Sequence, residues 1–182
     1  MSDELKLTPS ESVTIRSSSP ELLEVEGHYG PGGKPPPAHL HPAQDEHFEV
    51  LEGALMTKVG GEERELREGE TIDIPRGTKH QMWNPNEEPA RVLWQTRPAG
   101  RTEQWFRSID RLHREGRVGR NGMPGPLAYG AYLSEFGDVF RLAGPSIVTG
   151  ALVGVLGVVG RAKGYRPAEA PEQPAGPSGV GT

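Results

Sequence analysis

The chain has 182 residues, 34% of them hydrophobic, with 25 glycines and 18 prolines. That length fits one domain with additions, and so much glycine and proline excludes a large helical bundle, because they are the two poorest helix residues. A net charge of −5 argues against nucleic acid as a partner, since such binding rests on neutralising phosphates, and the lack of cysteine excludes disulfide scaffolds, thiolate metal sites, iron–sulfur centres and a cysteine nucleophile.

Residues 1–20 are polar and serine-rich and are expected to form a flexible, frayed lead-in. The first six carry no apolar run of the kind that opens a secretory signal, which predicts a cytoplasmic chain. Residues 22–29 alternate in part and stop at Gly30-Pro31-Gly32-Gly33. Pro35-Pro36-Pro37 cannot donate to a ladder, so an extended loop or edge is expected there. Residues 48–51 read as a strand, and 55–59 with 62–66 read as a hairpin about Gly60-Gly61. Residues 71–75 alternate with period two, and 81–84 and 91–96 flank a turn at Pro85-Asn86-Glu87-Glu88. Strands at this spacing predict a sandwich or barrel.

The period changes after residue 100. Trp105, Phe106, Ile109 and Leu112 fall on one face of a helix, with Thr102 as its expected N-cap and Gly116 as its stop. A break at residues 122–126 precedes a second expected helix at 127–142. Residues 142–160 hold no charge and run nineteen residues between Arg141 and Arg161. A helix of that length spans about 28 Å, near the hydrocarbon thickness of a bilayer. Ser146, Gly150, Gly154 and Gly157 form a small-residue ridge of the kind that brings membrane helices together. The apolar face of the first helix, with Arg107, Arg111 and Arg114 beside it, also suits a membrane surface. Membrane association through 142–160 is one reading; burial against the barrel or in a dimer is the other. Residues 167–182, rich in proline and glycine, read as a disordered tail.

The chemistry lies in two segments. The first runs Gly33-x5-His39-x-His41-x4-Glu46-x6-Gly53 and the second Gly69-x5-Pro75-x-Gly77-x2-His80-x3-Asn84. On a strand, residues i and i+2 point the same way, so His39 and His41 can converge on one ion. Residues 42–45 form a short turn after which Glu46 can come back to the same centre, and His80 follows a turn in which Gly77 supplies a backbone angle that other residues resist. Three imidazoles and a carboxylate suit one divalent transition metal (Fe, Mn, Ni, Co, Cu or Zn), not Ca or Mg, which prefer oxygen shells. Asp45 would break the strand parity, His47 faces away from Glu46, and His28 and His113 have no partner pattern. Phe48 and Val50 share parity with Glu46, and Met82 and Asn84 with His80, which makes these four the candidate substrate pocket. By strand-end chemistry, Asn84 is also a good turn residue.

At these residues the sequence resembles the cupin superfamily. Both of that family's motifs match at every fixed position: Gly33, His39, His41, Glu46 and Gly53, then Gly69, Pro75, Gly77, His80 and Asn84. The wording of residues 39–53 looks like that of bacterial single-domain members. The resemblance implies a mainly β double-stranded β-helix, a jelly-roll barrel over 21–99, with the metal inside and a helical C-terminal extension over 100–166. It implies His39, His41, Glu46 and His80 as ligands, and Glu46 as a candidate general base that leaves the metal transiently. The ligand set resembles that of quercetin and acireductone dioxygenases. An oxygenase or isomerase of a small organic molecule is one expectation, and a non-catalytic ligand-binding or regulatory module is the alternative, since fold alone does not choose. A homodimer is expected as well, because a single small barrel leaves edges and apolar faces to cover.

Overall fold

The computed structural model describes residues 4–144 and 146–171, and of 146–149 the backbone alone. In chain order the strands are β1 (Glu4–Thr8), β2 (Glu11–Ser18), β3 (Leu23–Tyr29), β4 (His39–Leu40), β5 (Asp45–Glu52), β6 (Ala54–Val59), β7 (Glu62–Arg67), β8 (Thr71–Ile74), β9 (His80–Trp83) and β10 (Ala90–Arg97). Helices α1 (Thr102–Arg114) and α2 (Pro126–Glu135) follow, then β11 (Arg141–Leu142) and helix α3 (Ser146–Ala162). All named strand pairs are antiparallel. They form a six-stranded sheet, β1-β2-β3-β10-β5-β8, and a five-stranded sheet, β11-β4-β9-β6-β7. This is the expected mainly β jelly roll with helices at its C-terminal end, and its two sheets keep separate ladders.

Period-two alternation builds the walls. In β5 the buried set is Glu46, Phe48 and Val50, and in β10 it is Ala90, Val92, Trp94 and Thr96. Phe48 pairs with Trp94 and Val50 with Val92, so one inner face is continuous across the two strands. The β6–β7 hairpin turns on Gly60 and Gly61, both at positive φ (61° and 103°), as a primed two-residue turn demands.

Residues 4–18 are not the frayed lead-in expected of them. They form β1 and β2, which add two strands to the six-stranded sheet beside β3. Only Leu5 and Val13 anchor them fully in the core; their other side chains are polar or half-buried. Cross-strand backbone pairing therefore carries much of their order, and a polar composition conceals that from a reading of hydrophobic pattern.

Helix α1 buries Trp105, Phe106, Ile109 and Leu112, the four residues on its expected apolar face. That face packs on the protein: Phe106 lies 5.0 Å from the Trp94 ring and Trp105 stacks 5.1 Å from Phe140. It starts one residue from the expected cap, with Arg101 at N-cap and Thr102 inside the helix. It ends at Gly116 (φ 64°), where Arg117 N–H bonds to Leu112 C=O and Gly116 N–H to His113 C=O, the paired bonds of a Schellman stop. The second expected helix ends early, at Glu135. Residues 141–142 instead pair with β4 as β11.

Because Leu142 belongs to β11, the apolar run yields a helix of 17 residues, α3. Among the described residues no helix is long and apolar enough to cross a membrane, which corrects the spanning reading of 142–160. One face of α3 packs on α2 through small residues. A Cβ built on Gly130 would lie 2.3 Å from Leu156 Cβ, and one on Gly157 would lie 2.8 Å from Ser134 Cβ. Gly150 and Gly154 of the expected ridge have open space around them; the Ser146 side chain lies outside the described residues. Leu152, Val155 and Val158 remain exposed. Of the expected disordered tail, residues 172–182 lie outside the described residues. Residues 167–171 form no regular element, though Ala168 N–H donates to Ser108 Oγ.

The two glycine classes make a paired prediction for denaturant unfolding. Gly130→Val is expected to cost about 1–3 kcal/mol through overpacking against Leu156. Gly154→Ala, on the open face, is expected to be neutral or stabilising by up to about 1 kcal/mol.

Candidate metal centre

The chain folds so that both motifs meet across one pair of strands. His39 of β4 is the direct cross-strand partner of His80 of β9. His41 follows two residues after His39. Its carbonyl accepts a hydrogen bond from Gly77 N–H at 2.8 Å, which ties the turn before β9 to the chain after β4. Gly77 sits at φ 76°, a conformation that side chains resist. The two segments are thus joined by backbone as well as by side chains.

One ring nitrogen each of His39, His41 and His80 lies within 4.8 Å of the others. The opposite nitrogen of every ring is engaged. His39 Nδ1 lies 3.1 Å from Pro37 C=O, His41 Nδ1 2.6 Å from Val139 C=O and His80 Nδ1 3.0 Å from Thr78 C=O. A carbonyl only accepts, so each Nδ1 carries the proton and donates. In its neutral form each imidazole then turns its Nε2 lone pair to the common centre, the usual arrangement of a metal-ligating histidine held by an outer partner.

Glu46 of β5 reaches the same centre from the other sheet. Its Oε2 lies 3.1 Å from His80 Nε2 and its Oε1 3.4 Å from His41 Nε2, while the Trp94 indole N–H donates to Oε1 at 3.0 Å. It stands beside the three-histidine group rather than within the 4.8 Å set. Among the described residues, His41 Nε2 is buried without a hydrogen-bond partner, and buried Glu46 Oε2 has none besides the His80 ring. Orphaned lone pairs of this kind are costly in a core, and a cation at the centre relieves them. The donors therefore fit a transition metal, with three imidazoles to hold it and a carboxylate at hand.

Electrostatics agree. Burial, then the charges of His80 and His41, push His39 down to about 3, so it is neutral across the physiological range. Burial alone would raise Glu46, but His41 and the hydrogen bond and charge of His80 outweigh it and bring it to about 2. His80 moves the other way: burial works against its charged form, yet the Glu46 carboxylate more than compensates and raises it above 6.5. Without metal, an ionised Glu46 faces a proton on His80.

The histidines open on a cavity of about 110 Å³. Phe48, Met82 and Trp94 line it from the sheets, Trp105 and Ile109 from α1, Tyr129 from α2, and Phe140 from the segment before β11. Phe140 stacks on His39 at 4.5 Å. The C-terminal extension is therefore part of the site, as its roof and, through Val139 C=O, as the support of His41.

Of the expected pocket residues, Phe48 and Met82 line the cavity, and Val50 and Asn84 do not. Val50 is two residues farther along β5 and packs into the core. Asn84 is a turn residue: its Nδ2 donates to Tyr29 and Glu88 carbonyls and its Oδ1 accepts from Asn86 N–H. Asp45 pairs with Arg76, His47 with Asp73, His28 sits beside Thr14 and Glu26, and His113 lies against Leu7 C=O, all away from the cluster. Sequence reasoning missed Val139, Phe140, Glu11 and Tyr29. Trp94 was missed as well, although its strand parity, matching Thr96 and Val92, carried a signal that could have placed it, as the parity of Tyr29 with Leu23 and Val25 did.

Residues 25–96 match the family model described as "Cupin domain". Over 60 residues the chain is 38% identical to the tetracenomycin polyketide synthase protein TcmJ of Streptomyces glaucescens, covering 33% of this chain and 40% of that protein. Over 49 residues it is 45% identical to the oxidoreductase iacF of Pestalotiopsis fici, covering 26% of this chain and 24% of that protein. The chain thus spans less than half the length of these curated relatives. Among solved structures, KdgF from Halomonas sp. is 26% identical, with a TM-score of 0.47 over 53% of this chain and 87% of that one.

Metal binding must displace the His80 proton, so affinity rises with pH. Below His80's raised pKa it is expected to fall by about tenfold per pH unit. Zinc calorimetry in two buffers of different ionisation enthalpy checks this: about one ion per chain and about one proton released per ion near pH 6. His41→Ala should abolish stoichiometric uptake.

Proposed function

Taking residues 25–96 as a cupin domain, we propose that this chain is a metal-dependent enzyme that oxygenates or isomerises a small, largely uncharged organic molecule. One observation carries the reading: the three Nε2 atoms face a mainly apolar cavity lined by six Phe, Trp and Tyr rings instead of being closed off by further protein ligands. Structural metal sites are filled by protein ligands, whereas catalytic ones keep positions open toward a pocket. Two relatives, one named a polyketide synthase protein and the other an oxidoreductase, support an organic substrate and redox or rearrangement chemistry.

His39, His41 and His80 would hold the ion. When bound, a divalent transition metal supplies a Lewis acid for an oxygen function of the substrate. The protein's own groups do the rest. Trp94 fixes Glu46 through Oε1, leaving Oε2 beside His80 at the centre, where it accepts a proton from a substrate C–H or O–H once the metal holds the His80 ring. Its carboxylate is ionised at neutral pH, the form that can accept a proton. Phe48, Trp105 and Phe140 exclude water and orient a flat substrate against the centre.

The test is oxygen uptake and product analysis on metal-loaded protein with a panel of enolisable diketones and flavonols. Turnover is expected, and Glu46→Gln should lower kcat by about 10²–10⁴-fold while one ion per chain is retained. Protein that binds metal and ligand and never turns either panel over would be a binding module instead.

A further inference from the structure

Glu11 of β2 and Tyr29 of β3 lie in the same cavity as the histidines, and the mechanism above uses neither. They are direct cross-strand partners, and their side chains hydrogen-bond to each other. Both belong to the six-stranded sheet, whereas His39 and His80 belong to the five-stranded one. We propose that Glu11 and Tyr29 form a second polar station in the cavity, and that the ligand is a flat, uncharged aromatic molecule with an oxygen function at each end, one for the histidine centre and one for this pair. The proposal rests on the metal-centre reading for the first of those ends.

Three observations fix the ligand's chemistry. No lysine or arginine lines the cavity among the described residues, so nothing there neutralises a carboxylate or phosphate at the far end. The walls are aromatic: Phe48 and Trp94 stack at 5.2 Å with a 25° interplanar angle, and Phe140 lies parallel to His39. Rings laid flat in this way suit a planar guest. Burial also raises Glu11 to about 7, even though the Tyr29 hydrogen bond pulls the other way, and Tyr29 is pushed well above its ordinary range. Near neutrality the pair thus offers hydroxyl donors as well as acceptors, which suits a phenol or a ketone and not an anion. A cross-strand pair serving only the sheet would confer no ligand selectivity.

Two probes, 2-naphthol and 2,6-dihydroxynaphthalene, test this by fluorescence titration of the zinc-loaded full chain, the second carrying oxygen at both ends. The diol is expected to bind about tenfold more tightly, as one added hydrogen bond in a buried site allows. Glu11→Ala and Tyr29→Phe should each erase that preference. Glu11→Gln, which keeps a donor and an acceptor, should preserve it; Tyr29→Phe and Glu11→Gln also serve if the alanine variant fails to fold. The proposal is overturned if neither probe binds, if wild type shows no preference for the diol, or if the preference survives Glu11→Ala or Tyr29→Phe. The metal reading fails separately: affinities for both probes would then be the same with zinc removed, whatever Glu11 does.

Discussion

Three backbone carbonyls, those of Pro37, Thr78 and Val139, decide which nitrogen of each imidazole faces the cavity. Each receives an Nδ1 proton, and each thereby commits an Nε2 lone pair to the same small volume. Without those carbonyls the rings could turn or change tautomer, and three histidines in a core would be ordinary buried polar groups. With them, the histidines are a preorganised donor set. The carbonyls come from three places: the proline run before β4, the turn before β9, and the segment after α2. The donor set therefore exists only when β4, β9 and the segment after α2 are in place together.

That dependence explains why the interior tolerates so much polarity. Among the described residues, an imidazole nitrogen remains without a partner in a largely apolar cavity, and a carboxylate oxygen has the His80 ring alone; an orphan of this kind costs about 1–3 kcal/mol. Part of that cost is offset without metal by the Glu46 charge and the proton on His80, and the remainder is available to a bound cation. The aromatic roof of Trp105 and Phe140 keeps water from solvating the orphans. Site and stability are linked here, since the groups that would bind the ion are the ones least comfortable without it.

Much of the site was legible because strand geometry is periodic. His39 and His41 at i and i+2, Glu46 after a short turn, and His80 behind a glycine turn all came together as their spacing implied. The Gly60-Gly61 hairpin and the buried face of α1 were legible for the same reason. Parity has limits, however. It put Asn84 and Val50 on the correct face, but a face is longer than a cavity, and one residue closes a turn while the other packs in the core. Backbone acceptors such as Val139 C=O carry no residue identity, so no pattern could reveal them. Glu11 and Tyr29 meet only through the register of β2 on β3, and β2 itself was hidden by its polar composition. The run at 142–160 misled because hydropathy does not show that Leu142 would be taken by a strand, or that Gly157 and Gly160 would seat a helix against α2.

The most direct measurement is long-range ¹H–¹⁵N correlation of the histidine rings in zinc-loaded protein near pH 8. The account predicts that His39, His41 and His80 all carry their proton on Nδ1, with Nε2 shifted as a metal-bound nitrogen. A proton on Nε2 of any of the three, or an Nε2 that does not respond to zinc, would contradict it.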